Sequence, residues 1–145
     1  MNVEAGLFSS AVEIMSTPVV TVTPDTTIQQ AVALLEEGRI SGLPVVDHQD
    51  HLLGMLTEFD LLRAICNTRL QGLVSEFMST DACAVDEATS LTTLTDLMIE
   101  KRVRRVPVLR EGRVVGVISR RDLVFVGNVR QQLLTELPVA PLASG

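Results

Sequence analysis

Long apolar runs are missing from this chain: nowhere in its 145 residues do 18 apolar residues follow one another, and Met1 to Ser10 hold no basic stretch leading into an apolar one. A membrane-spanning helix and a secretory signal are therefore not expected, and the cytoplasm is the expected compartment. Cysteine is almost absent. Cys66 and Cys83 lack CxxC spacing and sit in apolar surroundings, which predicts buried reduced thiols rather than a disulfide or a metal site. No Walker-type phosphate loop and no Ser/His/Asp or Cys/His constellation occurs, so the chain does not read as an enzyme. His48 and His51, flanked by Asp47 and Asp50, fall where the other half of the chain has no such residues, and they read as a solvated loop rather than a metal site. Basic charge is scarce in the first half: residues 1–73 carry three basic residues (Arg39, Arg63, Arg69) against nine acidic ones, whereas residues 74–130 carry nine against eight. The net charge of −6 argues against nucleic acid as the main partner.

What is present is enough apolar material for one compact domain, with 46% hydrophobic and 21% charged residues. That material is arranged as an internal repeat. At an offset of 63, Met15-Ser16-Thr17 matches Met78-Ser79-Thr80, and Val22/Val85, Thr26/Thr89, Leu34/Leu97, Glu37/Glu100, Arg39/Arg102 and Pro44-Val45/Pro107-Val108 are identical. Beyond the proline the offset falls to 62, which places a deletion in His48-Gln49-Asp50-His51 opposite the tighter Arg110-Glu111-Gly112-Arg113. Deletions fall in turns, so both stretches are predicted hairpin loops.

The pattern inside each copy predicts the element order β-α-β-β-α. Val19 to Val22 reads as a short strand, Thr26 and Gln29 as N-cap and N3 of the following helix, and Ile28, Ala31, Val32 and Leu35 as its apolar face. Gly38 is placed to end that helix in a left-handed turn, and Leu91, Leu94 and Met98 echo the face in the second copy. Strands over Leu43 to Val46 and Leu52 to Thr57 form a hairpin, followed by a helix from Glu58 to about Asn67. The later copy has Val106 to Leu109, Val114 to Ser119 and a helix from Arg121 onward, extended through Leu133-Leu134, stopped by Pro138 and Pro141 and frayed to Gly145. Met15 and Met78 read as core fillers. The expected fold is α/β (α+β), two repeats packed sheet to sheet about a pseudo-two-fold axis, because neither copy alone buries a core easily.

The chemistry-bearing motif is Gly116-Val117-Ile118-Ser119-Arg120-Arg121-Asp122-Leu123, with an earlier copy in Gly54-Met55-Leu56-Thr57-Glu58-Phe59-Asp60-Leu61. Each reads as a buried strand ending at a hydroxyl residue and turning into a helix, with a carboxylate three positions on. Such a corner offers backbone N–H groups to phosphate, and a carboxylate that accepts from a ribose diol. The same spacing is also a helix capping box.

On these residues, with Met-Ser ahead of a strand and the approaches Ile40-Ser41-Gly42-Leu43-Pro44-Val45 and Val103-Arg104-Arg105-Val106-Pro107-Val108, the chain resembles a tandem pair of cystathionine-β-synthase (CBS) domains, a Bateman module. The repeats cover residues 12–66 and 74–126, with a C-terminal helix extension and tail over 127–145. The resemblance implies a non-catalytic regulatory module that binds an adenosyl ligand (AMP, ADP, ATP, NAD or S-adenosylmethionine) in clefts between the repeats, and a disc-shaped homodimer. It implies no cofactor beyond that ligand, and an effector protein that the sequence does not identify. Carried over, Asp122 takes ribose hydroxyls, Ser119, Arg120 and Arg104 the phosphate, and Val106, Pro107 and backbone near Thr80 to Ala82 the adenine. The first-repeat set is Asp60, Thr57, Ser41, Leu43, Pro44 and Thr17 to Val19. There Ser41 and Glu58 stand where the second copy has Arg104 and Arg120, and a carboxylate beside phosphate is repulsive, so the second-repeat set is favoured. The alternative is a ligand-free dimerisation or scaffold module in which the hydroxyl–Asp pairs only cap helices.

Overall fold

The computed structural model describes residues 10–136. Its elements are α1 (Ala11–Ile14), α2 (Ile28–Gly38), β1 (Gly42–Val46), β2 (Leu52–Thr57), α3 (Glu58–Cys66), α4 (Val74–Phe77), β3 (Val85–Asp86), α5 (Leu91–Lys101), β4 (Arg105–Arg110), β5 (Arg113–Ser119) and α6 (Arg120–Glu136). This is the mixed α/β fold the repeat predicts. The expectations for Pro138, Pro141 and the tail, and for Met1 to Ser9, fall outside the described residues.

The two hairpins are superposable in register. Leu43 faces Leu56 and Val45 faces Gly54 in β1–β2, with a bulge after Val45; Val106 faces Ile118 and Val108 faces Gly116 in β4–β5, with a bulge after Val108. β3 adds to β4 in parallel, Val85 beside Val108. The strand expected over Val19 to Val22 shrinks to the single parallel bridge Val22–Val45, because only Val22 is held on both sides, its N–H donating to Pro44 O (3.0 Å) and its carbonyl accepting from Val46 N (2.8 Å).

Two helix ends differ from expectation. Thr27 with Gln30, not Thr26 with Gln29, forms the cap of α2: Gln30 N donates to Thr27 Oγ1 (3.1 Å) and Thr27 N to Gln30 Oε1 (2.9 Å). Adjacent threonines and glutamines allow both registers, and the preceding turn uses Thr26, whose Oγ1 accepts from Thr23 N (3.1 Å). At the other end Gly38 is still helical and Arg39 takes the left-handed conformation (φ 52°, ψ 44°), as does Arg102 after α5 (φ 53°, ψ 36°).

Each repeat has its own core, and each core is closed by the other repeat. The first gathers Val22, Ile28, Ala31, Leu43, Val45, Leu56, Leu61 and Ala64 with Val74 of α4; the second gathers Val85, Leu94, Met98, Val106, Val108 and Ile118 with Ala11 of α1. Met78 packs on the first core and Met15 on the second, filling as expected but in exchanged places. Main-chain pairs hold the exchange: Ser16 with Val117 (2.8 and 3.2 Å) and Ser79 with Met55 (2.9 and 2.9 Å). They explain the motif glycines. A Cβ on Gly54 would run into the Ser79 carbonyl, and one on Gly116 into the Met15 side chain. Equivalent bonds from Ala11 N to Thr89 O and from Val74 N to Thr26 O (2.9 and 2.8 Å) repeat the pseudo-two-fold relation.

Cys66 is exposed and Cys83 half-buried, against the expectation of two buried thiols. α3 turns Leu61 and Ala64 to the core, which leaves Cys66, two positions past Ala64, on the outer face.

Candidate functional site

Both motif carboxylates cap their helices. Thr57 N and Oγ1 donate to Asp60 Oδ2 (2.9 and 3.0 Å) while Asp60 N donates to Thr57 Oγ1 (3.2 Å). Asp60 is nearly buried and its Oδ1 is taken by Arg63 at 3.3 Å, so both oxygens are engaged within the first repeat. At the second corner Ser119 N donates to Asp122 Oδ2 (2.9 Å) and Asp122 N to Ser119 Oγ (3.0 Å). Asp122 Oδ1 takes no hydrogen bond from any described residue. Capping and binding are thus compatible at Asp122, whereas Asp60 is spent.

The exchange of segments crosses the expected residue sets. Asp122 and Ser119 open into a cavity of about 210 Å³ with Arg105, walled from the first repeat by Val19, Ile40, Gly42 and Pro44. Thr57 instead meets Ala82, with Met55, Phe59 and Ser79, in a second cavity of about 670 Å³. The grouping of Asp122 with Thr80 and Ala82, and of Asp60 with Thr17 and Val19, is therefore corrected: each motif corner faces the entry segment of the opposite repeat, since that segment pairs with the opposite sheet. Leu43, Val106 and Pro107 are fully buried in the strands and line none of the described cavities. Thr17 and Thr80 are exposed beside them.

Charge is arranged between the repeats. A third cavity, about 750 Å³, shares Ile40, Arg105 and Ser119 with the Asp122 cavity and is edged by Arg39, Arg104, Arg120 and Arg121 against Glu36 and Glu58. Arg104, read from sequence as a phosphate contact, already holds Glu58 Oε1 at 3.0 Å. That pair is more than half exposed on both sides, so it contributes at most about 1 kcal/mol.

Arg105 went unread in the sequence. Its Nε donates to Ser41 Oγ (3.2 Å), and its stem lies over Gly42, where an added Cβ would touch it at an ordinary van der Waals distance of 3.8 Å. Burial pushes the Arg105 guanidinium below its ordinary pKa, while the carboxylates of Asp122 and Glu58 oppose that shift. The signal was the repeat itself, which sets Arg105 at the position where the first copy has Gly42, a long cation in one copy only. Cys83 borders the Thr57 cavity with its thiol pKa raised by burial, against a weaker pull from Lys101, which keeps it protonated.

Residues 11–67 and 74–127 each match the family model of the CBS domain. The chain belongs to the CBS-domain family. This CBS pair is 38% identical over 117 residues to the CBS domain-containing protein YhcV of Bacillus subtilis, covering 79% of this chain and 83% of that one. Its fold matches a CBS-domain containing protein from Agrobacterium tumefaciens at TM-score 0.74 and 30% identity, over 84% of this chain and 96% of that one. It also matches CBSX2 in complex with AMP at TM-score 0.75 and 25% identity, over 85% and 98% of the two chains. Among the described residues no helix is long and apolar enough to cross a membrane.

Proposed function

We propose that this CBS pair is a non-catalytic regulatory module that binds an adenosyl ligand in the cleft built on Asp122, and reports occupancy to an effector protein through the relative placement of its repeats. The observation that carries this reading is the uncommitted Oδ1 of Asp122 inside a cavity formed by both repeats and open, past Ser119, to an arginine-rich one. A ribose diol donates to that oxygen, the purine lies against Val19 and Pro44, and phosphate leaves past Ser119 toward Arg120. Joined across their shared wall, the two spaces lie within the roughly 300–1,000 Å³ usual for small-molecule sites. The AMP complex of CBSX2 supports the ligand class. Arg104 joins the phosphate only by releasing Glu58.

A thermal-shift panel of AMP, ADP, ATP, GTP, NAD and S-adenosylmethionine tests the reading, since a ligand bound only by the folded state raises the melting temperature. A shift from adenosyl compounds and none from GTP is expected. No shift from any, with no nucleotide in acid extracts of the purified protein, favours the scaffold alternative instead.

The same reading includes a homodimer. Phe59, Leu62 and Ile65 on α3 and Val124 and Phe125 on α6 are exposed apolar side chains, Phe59 at 68%, and a second copy covers such faces symmetrically. Light scattering that gives a monomer at micromolar concentration rejects this part.

A further inference from the structure

Arg39 sits in a conformation that arginine does not favour, at a place where its side chain has nothing to hold. Its φ of 52° and ψ of 44° lie in the left-handed region, where glycine or asparagine is cheaper. Arg102 ends α5 in the same conformation, so that backbone belongs to the helix end, and what sets Arg39 apart is the cavity its side chain edges. Among the described residues Arg39 has no ion-pair partner, and neither has Arg120. The other guanidinium groups around the 750 Å³ cavity are occupied: Arg104 by Glu58, Arg105 by Ser41, and Arg121 over the Phe125 ring at 4.9 Å. What remains is one free guanidinium from each repeat on the wall of one cavity. Glu36 and Glu58 edge the same cavity, but Glu58 is held by Arg104, which leaves these two guanidinium groups to meet an anionic ligand there.

We infer that Arg39 is a phosphate-binding residue which, with Arg120, takes the distal phosphates of a polyphosphate tail, so that the Asp122 cleft prefers an adenosyl di- or triphosphate to a monophosphate. This rests on the adenosyl reading of that cleft and deepens it. The first phosphate stays at Ser119, beside Asp122, and the later ones extend between the repeats. Both repeats then hold the same tail, and tail length becomes the property that draws them together.

The test is calorimetric titration of the whole chain and of Arg39→Gly with AMP, ATP and inorganic tripolyphosphate. Glycine removes the side chain and suits the left-handed backbone, so the melting temperature of the unliganded variant is expected to equal or exceed that of the parent. The parent is expected to bind ATP at least about tenfold more tightly than AMP, the scale of one charge-assisted contact. In Arg39→Gly both that preference and tripolyphosphate binding are expected to fall about tenfold, with AMP affinity unchanged within about twofold. ATP and tripolyphosphate affinities unchanged in the variant, with AMP still bound, overturn the role of Arg39 and leave the adenosyl reading standing. Tripolyphosphate bound through Arg39 but no adenylate bound at all overturns the adenosyl reading and keeps the phosphate contact. No binding of any of the three by the parent overturns both.

Discussion

The two repeats have the same register, equivalent cores and the same capping device, and they differ in what they leave unspent. In the first, Asp60 closes on Thr57 and Arg63, and Glu58 reaches across to occupy Arg104. In the second, Asp122 caps with one oxygen and keeps the other, and Arg120 carries no partner among the described residues. Equal backbones thus give unequal chemistry. A motif copy becomes a site only where its polar atoms are not already satisfied by the protein itself.

Four predictions test that contrast. The largest effect is expected in binding: Asp122→Ala should weaken adenylate affinity by about 1.5–3 kcal/mol, and Asp60→Ala should change it far less. Both should lower unliganded stability by about 0.5–2 kcal/mol, because both remove a capping partner. Asp122→Asn separates the two roles, since its amide oxygen still accepts from Ser119 while the charge is gone. Calorimetry beside denaturant unfolding measures both quantities, and equal affinity losses from the two alanine variants would show that the contrast is false. The affinity should also fall as salt rises.

The second contrast concerns the glycines. Gly54→Ala meets backbone, the Ser79 carbonyl, and should cost about 1–3 kcal/mol; Gly116→Ala meets the flexible Met15 side chain and should cost less. Urea midpoints decide it, and an equal loss would mean that the Met15 crossing is as rigid as the Ser79 one.

Third, Glu58→Ala should cost at most about 1 kcal/mol of stability while raising adenylate affinity, because it releases Arg104 from an exposed pair. A weakened affinity in a titration would make Glu58 a ligand contact rather than a competitor.

The smallest effect lies in the loops that differ between the copies. Gln49 N and His51 N donate to Asp47 Oδ1 (2.8 and 3.0 Å) and hold that carboxyl below its ordinary 3.8, whereas Arg110, opposite it in the second copy, pairs with Glu87 at 2.7 Å. A depressed carboxylate stabilises the fold above its unfolded pKa, and the contribution is lost as pH falls through the lower folded value. Asp47→Asn should therefore lower stability slightly near neutrality and flatten the profile below pH 3.8, where the parent loses the contribution itself. An unchanged acid limb in pH-dependent unfolding would reject this.

What the sequence determined by itself is what acts over a few residues. The helix faces and the Thr57–Asp60 and Ser119–Asp122 capping pairs depend on contacts three or four positions apart, the hairpins on strands joined by a short loop, and the repeat on the sequence matching itself, so the pattern shows all of them. Even its local errors are small: the Thr26 register slipped by one because two threonines and two glutamines stand side by side, and Gly38 was credited with a turn that Arg39 makes. Tertiary structure decided everything that joins distant segments. Ser16 pairs with Val117 and Ser79 with Met55, so the entry segment of each repeat lies over the other repeat's motif and the expected site sets are exchanged. Arg104 meets Glu58 across 46 positions, and Arg105 lies over Gly42 from the far side of the repeat axis. The reason is physical: a strand edge or a guanidinium accepts any partner of suitable shape and charge, and only the packing of two half-closed cores on each other selects which one arrives.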